Sequence, residues 1–284
     1  MSLQSPVVVS PLHAQAAHAF LNESLAAPQN IAPMPRVCAQ LAELTAQQAT
    51  DAAQLARLIQ SDAALAGELM RVANSPALRP RSPIVSLQQA VSWLGVAEVR
   101  NIAMAVMLRG EVFTAPGHEP ESEELWREAW LAGLWAKEIA RERRKHVESA
   151  FLAALMHRTG AALALKILSG FESQQRTVMD AQTFSNLVTE FEARFGRLLM
   201  STWRLPDDVQ DAASDWRDYR KSGHSDLAGT VHAAHLLATH TMHPQLLDEQ
   251  LVLDDSVFEQ LGVFPDDRRL MLAKRDHIRS IAGL

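Results

Sequence analysis

The stretch from Ala150 to Leu168 constrains the fold more than any other part of this 284-residue chain. It reads AFLAALMHRTGAALALKIL and is apolar on almost every side, with one polar pair, His157-Arg158, near its middle. A helix that is apolar all round belongs in the centre of a protein. This one is too short and too interrupted to cross a membrane, which takes about 20 largely apolar residues. Because buried polar groups need hydrogen-bonding partners, we expect any functional site to lie near His157 and Arg158.

The charge and the cysteine content exclude several classes of protein. A net charge of −6 and a pI near 6.0 argue against sequence-independent binding to nucleic acid or to an anionic membrane surface, since both favour a basic face. The single cysteine, Cys38, excludes an internal disulfide and suits a reducing compartment. Its apolar neighbours favour a small buried hydrophobe over a nucleophile. No charged-then-apolar leader precedes the first helix, so we expect a cytoplasmic protein.

Helical periodicity runs through nearly the whole chain, and no segment alternates with period two. The sequence therefore predicts an all-α, multi-helical fold with two helical lobes around the central apolar helix. The TAPGHEP segment, residues 114–120, is the clearest linker between the lobes. We divide the chain into an N-terminal extension with one helix (1–30), an N-terminal helical lobe (31–115), a second helical lobe (121–242) and a C-terminal helical extension (243–284).

Several helix ends are predicted by local signals. Asp62 and Ser86 each precede an apolar helical pattern, where their side chains can cap the first turn. Gly95 should end a helix. Pro206 suits the first position of the helix that follows Leu205. The apolar patterns also predict helices over Leu125–Arg141 and Asn186–Thr202, and two short helices near the C-terminus, at about Asp255–Leu261 and Asp266–Ile281.

Two stretches of the chain resemble the HDOD family. Residues 61–105 read SDAALAGELMRVANSPALRPRSPIVSLQQAVSWLGVAEVRNIAMA, which is similar to the family's Asp-Pro-x-Leu helix, Leu-Leu-Arg-x-Ala-Asn-Ser turn and Leu-Gly helix. Leu125-Trp126, AFLAALMHRTG and Trp203-x-Leu205-Pro206 continue the resemblance in the same order, so that it covers about residues 33 to 240. The positions that match these motifs, which we interpret as structural, are Asp62, Arg71, Asn74, Ser75, Gly95, Trp126, Trp203 and Pro206.

The resemblance implies a relative of HD-type metal phosphohydrolases that has mostly lost the metal ligands. Such a site needs a histidine, a consecutive His-Asp pair on the core helix and a later aspartate around a divalent ion that activates water. Here the pair is His157-Arg158, and an arginine places a permanent positive charge where a carboxylate would bind the cation. The resemblance puts the remaining positions near Glu128, Glu192 and Asp215. We therefore predict no catalytic residues, no metal and no cofactor.

Three roles for these acids stay open at this point. Glu128 and Glu192 are chemically able to ligate a metal, but oxygen ligands without a converging His-Asp pair are poorly selective. Arg158 can instead form a buried or half-buried ion pair with one of the acids, which would turn an old site into a structural brace. It can also bind an anion. We favour the ion pair.

Four histidines, at positions 232, 235, 240 and 243, form an H-x2-H-x4-H-x2-H pattern that zinc could use. Helical geometry does not bring all four to one face, and no cysteine joins them. We interpret them as surface or packing residues. Asn74-Ser75 is able to touch a ligand, but such a pair more often finishes a helix and bonds to nearby backbone.

The favoured function is a non-catalytic bacterial regulatory module that binds a signalling protein partner or a nucleotide-like effector. The alternative is a divergent HD-type phosphohydrolase acting on a nucleotide or a cyclic dinucleotide. The two hypotheses differ on the metal, because only the second requires a divalent ion near His157.

Overall fold

The computed structural model describes residues 11–27, 29, 31, 33–36, 39–40, 52–78, 80 and 82–284. These residues form helices and turns and no β-strand, which confirms the all-α prediction. Cys38 lies outside the described residues. In chain order the α-helices are α1 (Pro11–Ala26), α2 (Ala52–Gln60), α3 (Ala63–Ala73), α4 (Leu87–Leu94), α5 (Val96–Glu111), α6 (Glu119–Glu142), α7 (Val147–Met156), α8 (Thr159–Gln175), α9 (Ala181–Thr202), α10 (Asp207–Ser214), α11 (Ser225–Met242), α12 (Glu249–Leu253), α13 (Ser256–Gln260), α14 (Pro265–Leu272) and α15 (Arg275–Ala282). A 3₁₀ helix, Trp216–Lys221, lies between α10 and α11.

The predicted helix caps in the first half of the chain are present. Asp62 lies in extended backbone, and its carboxylate accepts a hydrogen bond from the N–H of Leu65 over 2.9 Å at the start of α3. The Ser86 hydroxyl accepts in the same way from the N–H of Gln89 at the start of α4. Gly95 ends α4 with a φ of 81°, a conformation that glycine adopts without steric cost.

Two helices begin earlier than the apolar pattern predicts. Helix α6 starts at Glu119 rather than Leu125, and α9 starts at Ala181 rather than Asn186. The added first turn of α6 carries acidic residues that suit the positive end of the helix dipole, and Asp180 caps α9 through its carboxylate. Apolar periodicity marks only the part of a helix that faces the core, so solvent-exposed first turns escape it.

The C-terminal region contains four short helices, α12 to α15, where the sequence analysis predicts two. Asp248 and Asp255 cap the first two through their side chains, and Gly262 turns the chain with a φ of 69°. The single helix predicted over residues 266–281 is divided at Ala273 and Lys274 into α14 and α15.

The predicted central helix is interrupted at the polar pair in its middle. Helix α7 ends at Met156 and α8 begins at Thr159, with His157 and Arg158 in the turn between them. His157 Nδ1 lies 2.5 Å from the carbonyl of Ala154, and the Thr159 hydroxyl donates to the carbonyl of Met156 over 2.7 Å. These side chains bond to carbonyls that an unbroken helix would use for its own backbone, which explains the local break. The expectation of one continuous helix is therefore wrong at this point.

Helices α7 and α8 nevertheless form the centre of the molecule. Val147–Gln175 is long and apolar enough to cross a membrane by composition alone, but 78% of its most apolar window is buried inside the protein. Leu155 and Leu163 are 0% and 7% exposed. A Cβ added to Gly160 would lie 1.8 Å from the backbone oxygen of Glu192, so only glycine lets α8 approach α9 this closely.

Residues on both sides of the proposed lobe boundary are linked by long-range contacts. Lys137 of α6 is 5% exposed and pairs with Glu98 of α5. Lys166 of α8 donates to the carbonyl of Glu111 over 2.8 Å. Since α6 already begins at Glu119, the predicted linker covers fewer residues than 114–120. The division into lobes and extensions stays a prediction.

Candidate functional site

A cluster of polar side chains lies where four other helical elements meet the turn between α7 and α8. The turn itself supplies His157 and Arg158. Glu128 comes from α6, Glu192 from α9 and His235 from α11. The 3₁₀ helix adds a tryptophan and an arginine at its first two positions. These groups are far apart in sequence, and the crossing of the helices brings them together.

Arg158 is held between two carboxylates. Its Nε donates to Glu128 over 2.7 Å, and its Nη1 donates to one oxygen of Glu192. Arg217 of the 3₁₀ helix donates to the other oxygen of Glu192. Two guanidinium groups and two carboxylates therefore balance in charge. The sequence analysis expects Arg158 to pair with one acid, and the structure confirms the pairing and extends it to both.

The ion pairs are largely shielded from water. The side chains of Arg158 and Glu128 are each 15% exposed, and that of Glu192 is 5% exposed. Burial raises the pKa of the Glu128 carboxyl above its ordinary value, although Arg158 opposes this. Burial also disfavours the charge of Arg158, but the two carboxylates outweigh it and raise the pKa of the guanidinium. Breaking such a buried pair leaves an uncompensated charge, which is strongly destabilising.

His157 and His235 form a neutral pair beside the ions. A carbonyl only accepts hydrogen bonds, so the 2.5 Å contact with Ala154 assigns the proton of His157 to Nδ1. Its unprotonated Nε2 then accepts from Nδ1 of His235 over 3.2 Å, and the same His235 nitrogen lies 3.1 Å from Glu128. Burial, together with nearby positive charge, lowers the pKa of both histidines well below the ordinary value. Both imidazoles are thus neutral at physiological pH.

Trp216 covers the histidine pair from the 3₁₀ helix. Its ring lies edge-on to His157 with centroids 5.1 Å apart, and 4.2 Å from the ring of His235. The guanidinium of Arg217 lies 4.2 Å from the centre of the Trp216 ring, a cation–π geometry. The tryptophan is 4% exposed and packs against His157, which is itself 2% exposed, whereas the side chain of His235 stays 18% exposed.

Asp215 does not join the cluster. Its carboxylate pairs instead with Arg197 over 2.6 Å near the protein surface. Asp215 ends α10 and the 3₁₀ helix starts directly after it, so successive side chains point in different directions and the next two residues reach the cluster. For this reason the sequence alone did not point to Trp216 and Arg217 as members of the cluster. It indicated His235 only as part of a histidine pattern, with no signal that singled it out.

The other histidines of that pattern have separate partners. His232 Nδ1 lies 3.1 Å from the carbonyl of Trp216, and His240 Nδ1 lies 2.8 Å from that of Leu247. His243, at the C-terminal end of α11, pairs with Glu124 of α6. The interpretation of these residues as packing and surface histidines agrees with these contacts.

The motif residues of the first half stabilise local structure. Arg71 binds Glu68 with two nitrogens and donates to the carbonyl of Ile281 over 3.2 Å, which ties α3 to the end of α15. The Asn74 side chain exchanges two hydrogen bonds with the backbone of Ile84, at 2.8 and 2.9 Å, and so fixes the ends of the loop between α3 and α4. Ser75 is 4% exposed, and its hydroxyl has no hydrogen-bond partner among the described residues.

The motif residues of the second half lie in the core or at helix ends. Trp126 is 8% exposed and stacks on Trp130 with ring centroids 6.0 Å apart. Trp203 is 4% exposed and caps α9. Pro206 is the N-cap of α10 rather than its first helical residue, because its ψ of 144° is extended and not helical. The helix therefore begins at Asp207, one residue later than predicted.

The cluster does not fit a divalent metal. The guanidinium of Arg158 lies among the acids, and hydrogen bonds from cations already occupy both carboxylates. Nδ1 of His157 is committed to a carbonyl, and its Nε2 to His235. Among the residues that the structure describes, no three histidine, cysteine, aspartate or glutamate side chains are grouped to hold a metal ion.

A cavity of about 600 Å³ lies beside the cluster, between α6, α8, α9 and α11. Glu128 and Arg158 form part of its wall. Its volume falls in the range of sites for small molecules, which is about 300–1,000 Å³. The ion pairs therefore border a space that a ligand can enter.

Comparison with known proteins identifies related folds. A family model described as HDOD domain matches residues 31–218. No curated protein matches the chain significantly. Several solved structures share the fold. A protein from Shewanella amazonensis described as a candidate metal-dependent phosphohydrolase is 21% identical, with a TM-score of 0.70 over 95% of this chain and 99% of that one.

Two further structures have the same fold. An HDOD domain protein of unknown function from Geobacter sulfurreducens is 17% identical, with a TM-score of 0.69, and the match covers 95% of this chain and 97% of that one. A candidate signal transduction protein from Marinobacter aquaeolei is 19% identical, with a TM-score of 0.65, and the match covers 98% of this chain and 67% of that one.

Proposed function

Because the chain belongs to the HDOD domain family, we propose that it is a non-catalytic regulatory module of bacterial signal transduction. It acts by binding a protein partner or a small effector. The single cysteine and the burial of the long apolar segment in the core support a cytoplasmic location. The comparison with a candidate signal transduction protein agrees with this role.

The observation that carries the proposal is the placement of Arg158 between Glu128 and Glu192. At about 4 Å and an effective dielectric near 20, two unit charges interact by about 4 kcal/mol, so a divalent ion beside Arg158 would be repelled by about 8 kcal/mol. The carboxylates that would offset this repulsion are already bonded to guanidinium groups. Without a metal, this site has no group that activates water as an HD-type enzyme does.

The cluster instead serves as a brace between helices. Arg158 links the α7–α8 turn to α6 and α9, and Arg217 links the 3₁₀ helix to α9. His235 adds α11 through its contacts with His157 and Glu128. A buried network of this kind favours one arrangement of the helices, as a regulatory surface requires.

Metal analysis combined with a turnover assay tests the proposal against the phosphohydrolase alternative. We expect the purified protein to hold no stoichiometric divalent metal and to leave a panel of nucleotides, cyclic dinucleotides and phosphoesters intact. Phosphoester turnover that His157→Gln abolishes would refute it. Arg158→Asp provides the complement, since a gain of metal affinity in that variant would identify Arg158 as the group that keeps the cation out.

A genetic test addresses the regulatory role directly. In the host bacterium, we expect deletion to change the transcript profile and His157→Gln, once shown by circular dichroism to fold, to restore it. If the protein instead acted as an enzyme that depends on His157, this variant would not restore the transcript profile. A deletion strain with an unchanged profile under all conditions would contradict the regulatory role.

A further inference from the structure

The cavity beside the ion-pair cluster has features that define the chemical class of its ligand. It extends along one face of α6, from Glu121 at its mouth to Glu128 at its inner end. At a rise of 1.5 Å per residue, these two positions are about 10 Å apart. This inference rests on the proposed function, because it treats the cavity as the binding site of the effector.

The walls of the cavity are largely apolar. They are formed by six side chains from four elements and the loop before α9: Leu125, Leu165, Met179, Phe184, Val188 and Met242. Sites for small molecules are typically lined in this way, with a few polar groups that orient the ligand. The body of a ligand here must therefore be apolar.

Negative charge dominates at the mouth. Glu121 and Glu124 are 59% and 49% exposed there, and their partners His118 and His243 carry charge only when protonated. Deeper in the cavity, Glu128 and Glu192 neutralise Arg158. When His118 and His243 are neutral, the carboxylates that line the cavity outnumber the guanidinium groups. A phosphate or carboxylate group entering this site would be repelled, and an ammonium group attracted.

One polar group of the wall lacks a partner. The hydroxyl oxygen of Thr239 is buried and makes no hydrogen bond with any described residue. It lies one turn of α11 before Met242, next to the apolar wall. A buried hydroxyl of this kind costs free energy unless something bonds to it. Because the oxygen itself is buried, it offers no contact to a ligand in the cavity, and the apolar walls and the acidic mouth are left to select the ligand.

We propose that this cavity binds a small amphipathic amine, with its apolar body between α6 and α9 and its ammonium group at Glu121 and Glu124. A nucleotide is the wrong effector for this site, because its phosphates would meet the acidic mouth. The nucleotide-like effector expected from the sequence is thereby replaced by a cationic ligand.

A matched series of ligands tests the proposal. Octylamine, octanol and octanoate share one tail and differ only in the head group. We would titrate each into the full chain labelled with ¹³C at the methionine methyl groups, at pH 8, where an ordinary histidine is neutral. Met179 and Met242 report on the cavity, and Met271, buried in α14, serves as the internal control.

We expect saturable shifts of Met179 and Met242 with octylamine and none of Met271. Octanoate should bind at least about tenfold more weakly than octylamine, a difference of about 1.4 kcal/mol. Shortening the amine by one CH₂ should weaken binding about fourfold. Equal or tighter binding of octanoate would overturn the charge assignment. The absence of shifts at Met179 and Met242 with all three ligands would overturn the cavity as a binding site.

Paired variants separate the head group from the tail. Glu121→Gln with Glu124→Gln should bring the affinities for octylamine and octanol within about twofold of each other, because the charge attraction is lost. The matched control, Glu249→Gln with Glu259→Gln, replaces two exposed glutamates of α12 and α13 and should keep the preference for the amine. Equal loss of preference in both pairs would refute a specific role for the mouth.

The two proposals fail separately. Phosphoester turnover would refute the non-catalytic role and leave these titrations unchanged. A preference for octanoate would refute the amine site without restoring turnover.

Discussion

Replacing Arg158 by methionine should destabilise the protein strongly, because it leaves two buried carboxylates without their shared cation. The side chain keeps most of its length, so the main change is the loss of charge. Removing one partner of a buried ion pair costs about 3–5 kcal/mol of unfolding free energy. Glu192 keeps its contact with Arg217, whereas Glu128 keeps only His235, so Glu128 bears most of the cost. We expect a loss of about 4 kcal/mol at pH 8.

The loss should depend on pH with a definite sign. Burial already raises the pKa of the folded-state Glu128 carboxyl, and removal of Arg158 removes a group that lowers it. A carboxyl whose pKa is raised by folding stabilises the protein when protonated, and this contribution is lost as the pH rises through the folded-state pKa. The difference between the variant and the parent should therefore shrink as the pH falls below that pKa, since Glu128 is then neutral.

Guanidinium chloride denaturation at pH 5 and pH 8 measures both effects. Arg269→Met is the control, since Arg269 is 70% exposed, its ion pair with Asp266 spans 3.5 Å, and its loss should change stability by about 0.5 kcal/mol or less.

Adding Glu128→Leu and Glu192→Leu to Arg158→Met should recover most of the loss, because an apolar replacement of a buried ionic network is often neutral. A loss below about 1 kcal/mol for Arg158→Met would show that water screens the cluster like a surface ion pair, and would refute the brace.

Two other substitutions test the packing and the capping of the helices. Gly160→Ala should cost about 3 kcal/mol or more, because its Cβ would lie 1.8 Å from the backbone oxygen of Glu192, whereas Gly170→Ala, in the same helix with nothing within 4 Å, should be neutral or stabilising. Equal effects of the two substitutions in thermal unfolding would contradict the close approach of α8 and α9. Asp62→Ala should cost about 1 kcal/mol through loss of the bond to Leu65, and an unchanged melting temperature would contradict the cap.

Features that depend on neighbouring residues could be predicted from the amino-acid sequence alone. The caps at Asp62 and Ser86 and the turn at Gly95 follow from short-range hydrogen bonding and backbone sterics, so a few letters suffice to predict them. Helical periodicity gave the fold class, since burial of one face needs a fixed spacing. The position of the site followed from one polar pair, His157-Arg158, in an apolar segment that has to be buried.

Features that depend on exposed residues were predicted less well. The first turns of α6 and α9 carry few apolar residues. Periodicity therefore places the starts of these two helices too late in the chain. The break between His157 and Thr159 was also missed, because a helical pattern does not reveal that side chains will take the backbone carbonyls at 154 and 156.

Which groups meet at the site depends on how the helices pack in three dimensions. Arg158 and Glu192 are 34 residues apart, and His157 and His235 are 78 apart, so their contacts depend on how α8, α9 and α11 cross. Asp215 pairs with Arg197 near the surface, whereas Arg217, two residues later in the 3₁₀ helix, pairs with Glu192. The cavity is likewise a property of packing, since no single segment contains it. The conformation of a turn or a helix cap depends on a short stretch of sequence. The partners of a buried charge depend on the packing of the whole core.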